Sequence, residues 1–180
     1  NVPSGDISKF LRQRYLSLYG ECRETEIYEN VRKEEIENCR DIEALIKNWQ
    51  SDSEWIKKIA EVSSSLPSSS REYIANLQTL NISLGSILLL AGARVFLPQR
   101  SADFSELSRL TRNFCFRVIT ITKNDTPFLE DKLGFAAREL SNGGWNTSDI
   151  ASFFQKHSPI SEFIEAFVTF EEKRAKIQFH

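Results

Sequence analysis

The sequence predicts an all-α fold, a multi-helix bundle of roughly eight to ten helices. Gly and Pro are scarce, at 7 and 5 of 180 residues, so the chain has few of the turn residues that many short strands require. Apolar residues recur at spacings of three and four along most of the chain, which is the period of a helix with one buried face. With 41% hydrophobic and 27% charged residues the composition is globular. We therefore expect residues 1–180 to form one all-helical domain, as a fragment of a larger protein.

The first helix is predicted to begin at Ser4-Gly5-Asp6, which offers a turn and an N-cap. It should end at Gly20, which tolerates the left-handed conformation found at helix C-termini. Its apolar face carries Ile7, Phe10, Leu11, Tyr15 and Leu18. Arg14 falls within the same stripe. An Arg in that position either extends to solvent at the rim or pairs with a carboxylate of a neighbouring helix.

Three more helices are predicted before residue 63. A short charged helix covers 24–33, anchored by Ile27 and Val31, and another covers 42–49. Ser51-Asp52-Ser53-Glu54 is expected to cap a separate helix, because it places an N-cap side chain before acidic residues that complement the helix dipole.

A loop is predicted at 63–70, where six serines and one proline fall within eight residues. Such side chains cannot build a core. The loop either connects two packed helices or marks a subdomain boundary near 63–70.

The helices predicted after this loop cover 73–80, 84–96, 104–121, 128–140, 150–156 and 160–180. Helix 84–96 is apolar on most sides and is expected near the centre of the bundle. Asp103 is expected to cap the next helix, and Thr147 or Ser148 to cap 150–156. The last helix reaches His180 without a stop signal, as a truncated helix would.

Charge is distributed unevenly around a formal net charge of −2 and a pI near 5.8. Segment 21–61 holds 7 Lys/Arg against 12 Asp/Glu, whereas segment 94–123 holds 6 against 2. The total field does not attract nucleic acid or anionic lipid, but a local basic face is compatible with these numbers.

The three cysteines, Cys22, Cys39 and Cys115, show no CxxC spacing and cannot all pair internally. Reduced, partly buried thiols in a cytoplasmic protein are the expected state. No targeting signal is visible, and the longest apolar run, 82–95, is too short and mixed to cross a membrane.

Motifs of catalysis are absent from the sequence: there is no P-loop, GxGxxG, GxSxG or HExxH. His157 and His180 lie in polar surroundings, and the acidic runs are typical of solvated helix faces. We expect neither a catalytic centre nor a metal or other cofactor.

Basic residues of segment 94–123 are the candidate binding residues. Arg109 and Arg112 are one turn apart and point away from the apolar stripe, with Arg117 at its margin and Lys123 following. Cations on one exposed face suit phosphate contacts. The alternative is that they neutralise the acidic segment 21–61 across a helix interface.

Four segments carry a resemblance to a known family. The first is Phe10-Leu11-Arg12-Gln13-Arg14-Tyr15-Leu16-Ser17-Leu18-Tyr19-Gly20, followed by Arg23-Glu24 and Ile27-Tyr28. The second is 107–121, with Asn113-Phe114-Cys115-Phe116-Arg117. The third is the 128–140 helix, and the fourth is the terminal helix with Lys173-Arg174-Ala175. In this order they resemble the helical region of GmrSD-type proteins, the modification-dependent restriction systems of bacteria. Where the family commonly has a second Arg after the first, this chain has Val118.

This resemblance implies a helical region that lies between a ParB-like nucleotide-hydrolysing (NTPase) domain and an HNH nuclease domain. The family's Asp-Gly-Gln-Gln-Arg element and its nuclease signature are absent here, so both catalytic parts would lie outside these residues. The expected function is a non-catalytic linker and sensing domain that positions its flanking domains, with DNA as a further partner and an oligomer compatible with the sequence. The alternative is a protein-interaction module with no nucleic-acid role, whose terminal helix exposes Phe163, Phe167 and Phe170.

Overall fold

The structure, a computed structural model, describes the backbone of residues 4–97, 99–121 and 125–178 and the side chains within 7–97, 99–119 and 125–169. This part of the chain contains nine α-helices and no strand, which confirms the predicted all-α bundle. The helices are α1 Ser4–Tyr19, α2 Ile27–Val31, α3 Ile42–Ala60, α4 Ser68–Thr79, α5 Gly85–Phe96, α6 Ser101–Cys115, α7 Thr126–Ser141, α8 Thr147–His157 and α9 Ile160–Gln178. None of these described helices is both long and apolar enough to cross a bilayer.

Two segments are wound as π-helix, with one more residue per turn than an α-helix. They are Arg32–Glu37, directly after α2, and Phe116–Ile121, directly after α6. A short 3-10 turn, Glu24–Glu26, precedes α2. Because π-turns rotate the side chains that follow them, they often occur where a side chain must point in an unusual direction.

Helix α5 forms the centre of the bundle, as its apolar sequence predicts. It packs against α7, α6, α1 and α3, and its buried residues include Leu88, Leu90 and Ala91, none of which retains accessible surface. Gly92 lies so close to Leu107 of α6 that a β-carbon there would overlap its side chain. The missing side chain therefore lets α5 and α6 approach each other closely.

The main hydrophobic core joins residues of α1 and of α3 to α8. Leu66, from the predicted loop 63–70, is buried within it, and residues 68–70 of that predicted loop belong to α4. At the opposite end, Phe114 of α6 stacks on Phe154 of α8 with ring centroids 4.0 Å apart. A smaller cluster of Leu11, Tyr15, Ile27 and Val31 attaches α2 to α1.

The predicted break before Ser51 does not exist. Helix α3 runs unbroken through this segment, and its N-cap is Asp41, whose side chain accepts a hydrogen bond from the Ala44 amide. Asp52 is buried within α3 instead of capping a helix. The predicted helix start is wrong because a buried carboxylate and a carboxylate in the first turn of a helix look alike in sequence.

Other helix starts also differ from their predictions. Asp6 lies inside α1, which begins at Ser4, and Asp103 lies in the first turn of α6, where it pairs with Arg100. Helix α8 is capped by Asn146, which forms a capping box with Asp149. Helices α6 and α8 therefore begin three residues earlier than predicted, at 101 and 147 instead of 104 and 150.

Candidate functional site

Arg109 projects from α6 and is held by an acidic residue of the same helix. Its Nε and Nη2 donate to the two carboxylate oxygens of Glu106 at 2.8 and 2.6 Å. This hydrogen bond lowers the pKa of Glu106 and raises that of Arg109. The Arg109 side chain is still 42% exposed, so it remains accessible to a further partner.

Arg112 and Arg117 are also engaged within the chain. The Arg112 guanidinium lies 5.1 Å from the centre of the Tyr73 ring, a cation–π contact between α6 and α4. Arg117 donates from Nη1 to the Ser158 carbonyl at 3.2 Å. Burial lowers the pKa of Arg117, and the nearby charge of Arg109 lowers it further.

The remaining basic residues of segment 94–123 do not extend this group. Arg100 pairs with Asp103 and lies over the Phe96 ring, and Arg94 points into the interior. Lys123 lies outside the described residues. Among the arginines that the structure describes in this segment, Arg94 is the one that pairs with the acidic segment 21–61, through Asp52.

The residues of the first family-like segment surround the C-terminus of α1. Tyr19 packs its ring 4.5 Å from Tyr15, and burial raises its pKa. Gly20 has φ +94° and is buried against α7. Arg23 is exposed and pairs with Glu26 across 3.4 Å. Glu24 opens the 3-10 turn on the surface.

Three further residues of that resemblance take different positions. Tyr28 is exposed on α2. Phe114 is a core residue of α6, and its neighbour Asn113 is half-buried. The structure thus divides the family-like residues between the α1–α2 connection and the α6 core, and does not gather them into one site.

A buried ion network, which we define as Arg14, Glu35, Asp52 and Arg94, is the most unusual polar feature of the described chain. Arg14, Glu35 and Asp52 retain only 5%, 7% and 3% of their surface. Arg14 pairs with Glu35 and with Asp52, whose Oδ2 lies 2.8 Å from Arg14 Nε. Arg94 donates two hydrogen bonds to Asp52, at 2.7 and 2.9 Å. Two cations and two anions thus face each other inside the fold.

Neighbouring side chains complete the ion network. Arg94 also donates to the Ser17 hydroxyl at 2.9 Å. The Trp49 indole donates to Glu35 Oε2 at 3.0 Å, and its ring lies 5.4 Å from the Arg14 guanidinium. The ion network therefore ties α1, α3, α5 and the Arg32–Glu37 π-turn to one another.

Part of this ion network is visible in the sequence. Arg14 stands out in an apolar stripe, and its predicted pairing with a carboxylate is found. Glu35 is hidden in an acidic run that looks like a solvated face, and the π-turn is what buries it. Because burial of ion pairs costs desolvation energy, such a network is weak evidence for added net stability, although removal of one partner is strongly destabilising.

Helix α9 packs against the Phe116–Ile121 π-turn and leaves much of its apolar surface open. Ile160, Ile164, Phe167 and Val168 are exposed on one side, and we call them the α9 apolar surface. Phe163 is half-buried and contacts Phe116, with ring centroids 6.4 Å apart. The expected stripe of Phe163, Phe167 and Phe170 is therefore wrong at Phe163, and the Phe170 side chain lies outside the described residues.

Within the described residues, no group of His, Cys, Asp or Glu is arranged to hold a metal ion. The three cysteines are free thiols, with Cys115 buried and the other two partly buried. Comparison with family models, curated proteins and solved structures finds no match for this chain. The site must be interpreted from its own geometry.

Proposed function

We propose that this chain is a non-catalytic helical scaffold of a defence-type DNA-cleaving protein, which holds an NTPase-like and an HNH nuclease domain in register in the cytoplasm. The domain identities rest on the resemblance to the helical region of GmrSD-type proteins. The physical role rests on the α9 apolar surface.

The α9 apolar surface is the observation that carries the proposal. Four large apolar side chains within nine residues of one helix are exposed. Contiguous exposed apolar surface of this kind is typical of a protein-binding face. The face adjoins the π-turn that carries Arg117, so a docked domain would contact both α9 and the end of α6.

The ion network supports a scaffold in a second way. It joins three helices and a π-turn through charge pairs, and in this proposal it holds these elements in one arrangement. A rigid body transmits the position of one bound domain to another, and a loosely packed one would not.

The test is association of the 180-residue chain with the two flanking domains of its parent protein, supplied as separate proteins. Ile164→Glu should abolish or weaken association by tenfold or more, because it places a charge in the docking face. Thr169→Glu is the matched control, since Thr169 is exposed elsewhere on the same helix. Equal binding by both variants would contradict a role for the α9 apolar surface.

Direct contact with DNA is the second candidate function. It is favoured by Arg109, whose side chain stays 42% exposed on α6 one turn before Arg112. Against it, all three described arginines already have partners within the chain. Neutralising Arg109 and Arg112 to Gln should reduce the salt slope of DNA binding by about two if both contact phosphates. Arg40→Gln with Lys57→Gln removes the same charge from exposed positions and serves as the control.

A further inference from the structure

A cavity of about 640 Å³ opens between α1, α3, α4 and the start of α5. Small-molecule sites typically have volumes of about 300 to 1,000 Å³. Its inner wall is apolar and well fixed, with Ile59, Ile74, Leu77 and Leu89 all buried. This volume can accommodate the apolar body of a small molecule.

Three of the six polar residues that line this cavity have side-chain partners. Gln13 donates to the Ser86 hydroxyl at 2.8 Å, and Ser86 donates to the Ser83 carbonyl at 2.7 Å. Gln78 donates to the Ala60 carbonyl at 2.6 Å. These contacts connect α1 with α5 and α4 with α3 around the cavity.

Lys9, Asn81 and Ser83 are the exceptions among the polar lining residues, all of which the structure describes. None of these three side chains has a hydrogen bond or an ion pair within the described chain, and all three are exposed. Asn81 has φ +55°, a left-handed conformation that Asn adopts more readily than most residues. Three donor groups thus remain free beside the apolar inner wall of the cavity, and Lys9 is the one that carries a charge.

The charge of the lining indicates the sign of the ligand. It contains one cation, Lys9, and no Asp or Glu. An ammonium group at the edge of an apolar cavity complements a carboxylate at the end of an apolar chain, and no acidic residue of the lining opposes it.

We propose that this cavity binds a small amphipathic carboxylic acid, with its apolar chain against Ile74 and Leu77 and its carboxylate at Lys9. The site is separate from the α9 apolar surface and from the arginines of α6, and the proposal is independent of the scaffold function.

Octanoate and its neutral counterpart 1-octanol are suitable probes, measured by calorimetry and by amide chemical shifts of the 180-residue chain. We expect octanoate to bind with shifts at residues of the cavity, and to bind more tightly than 1-octanol. Lys9→Gln should weaken octanoate roughly two- to fivefold, the range of an exposed ion pair, and leave 1-octanol unchanged. Lys57→Gln, an exposed lysine of α3 outside the lining, should change neither.

A second variant tests the location. Ala60 lines the cavity and is exposed, so Ala60→Trp should block the opening without disturbing the core, and it should abolish binding of both probes. Octanoate binding that survives Ala60→Trp would overturn the assignment of the cavity. If octanoate and 1-octanol bound equally and Lys9→Gln changed neither affinity, the assignment of a carboxylate to the ligand would be overturned. Absence of binding by either probe at millimolar concentration would overturn the proposal as a whole.

Discussion

The carbonyl oxygen of Gly20 occupies the space into which a side chain at position 134 would project. Gly20 follows the last residue of α1 in a left-handed conformation, and Gly134 lies in the middle of α7. Both residues are buried. The backbone at the end of α1 therefore rests directly on the backbone of α7. This contact fixes the position at which the chain leaves α1 and turns toward α2.

Gly134→Ala should destabilise the fold by about 1 to 3 kcal/mol, the usual cost of overpacking a core. Helix propensity alone predicts the opposite sign, because Ala is favoured over Gly by about 1 kcal/mol inside a helix. Chemical denaturation followed by circular dichroism measures the difference. Gly144→Ala is the control, since a β-carbon there meets its nearest atom, the Glu139 carbonyl, at an ordinary 3.6 Å. A Gly134→Ala protein as stable as wild type would show that α1 and α7 are not in backbone contact.

Asp52→Asn should lower the free energy of unfolding by about 3 to 5 kcal/mol, the range measured when one partner of a buried ion pair is removed. The amide leaves Arg14 and Arg94 facing each other with Glu35 as the single remaining anion of the ion network. Urea unfolding monitored by tryptophan fluorescence measures the loss.

Glu54→Gln provides the comparison for Asp52→Asn, because it removes the same charge two residues along α3 from an exposed position. It should change stability by less than about 0.5 kcal/mol. If both variants lost the same small amount, Asp52 would be solvated and the ion network would not exist as described.

Thiol reactivity should divide the cysteines into two classes. Cys115 has no accessible surface, and burial raises its pKa well above the ordinary value, so it is shielded and protonated. Ellman's reagent should modify Cys22 and Cys39 in the folded protein and the third thiol only after denaturation. Cys115→Ala should leave the folded count at two and reduce the denatured count to two. Rapid reaction of three thiols in the folded wild type would contradict the burial of the Cys115 thiol.

His157 should make stability depend on pH. Burial lowers its pKa below 6.5, and the charges of Lys132 and Lys156 add to this effect while Asp131 opposes it. The unfolded chain therefore binds the proton more readily, so the contribution of His157 is present above pH 6.5 and is lost as the pH falls through the lower folded pKa. His157→Gln should flatten the decline of the unfolding free energy between about pH 7 and pH 5. Parallel pH profiles for the two proteins would exclude this contribution.

Much of the bundle follows from local patterns. Residues 84–96 are apolar on most sides of a helix, which predicts a central position. The structure places α5 there because a helix with no polar face must be covered on all sides. Gly20 predicts the end of α1 through its backbone freedom alone. In contrast, Ser51-Asp52-Ser53-Glu54 predicts a helix start that does not exist, since local sequence cannot distinguish an acidic residue of a first turn from one that faces a distant arginine.

The candidate site was less predictable than the fold. The sequence identifies Arg109, Arg112 and Arg117 as cations one or two turns apart. Only the packing of neighbouring elements gives Arg112 the Tyr73 ring and Arg117 the Ser158 carbonyl as partners. The predicted exposure of Phe163 is wrong for a similar reason. Which apolar residues of a helix become buried depends on the neighbour that the helix meets, and here that neighbour is Phe116.

By itself the sequence determined the all-α class, the central helix and the conspicuous Arg14, because helical periodicity and residue chemistry act over a few neighbouring residues. Only the tertiary structure decided that Arg14 meets Glu35 and Asp52, that Gly134 receives the backbone of Gly20, and that a cavity opens beside Lys9. These relationships join residues between 21 and 114 positions apart in the printed sequence or depend on several helices at once. Their physical basis is the free energy of close packing and of charge burial, which is defined only when the whole bundle has assembled.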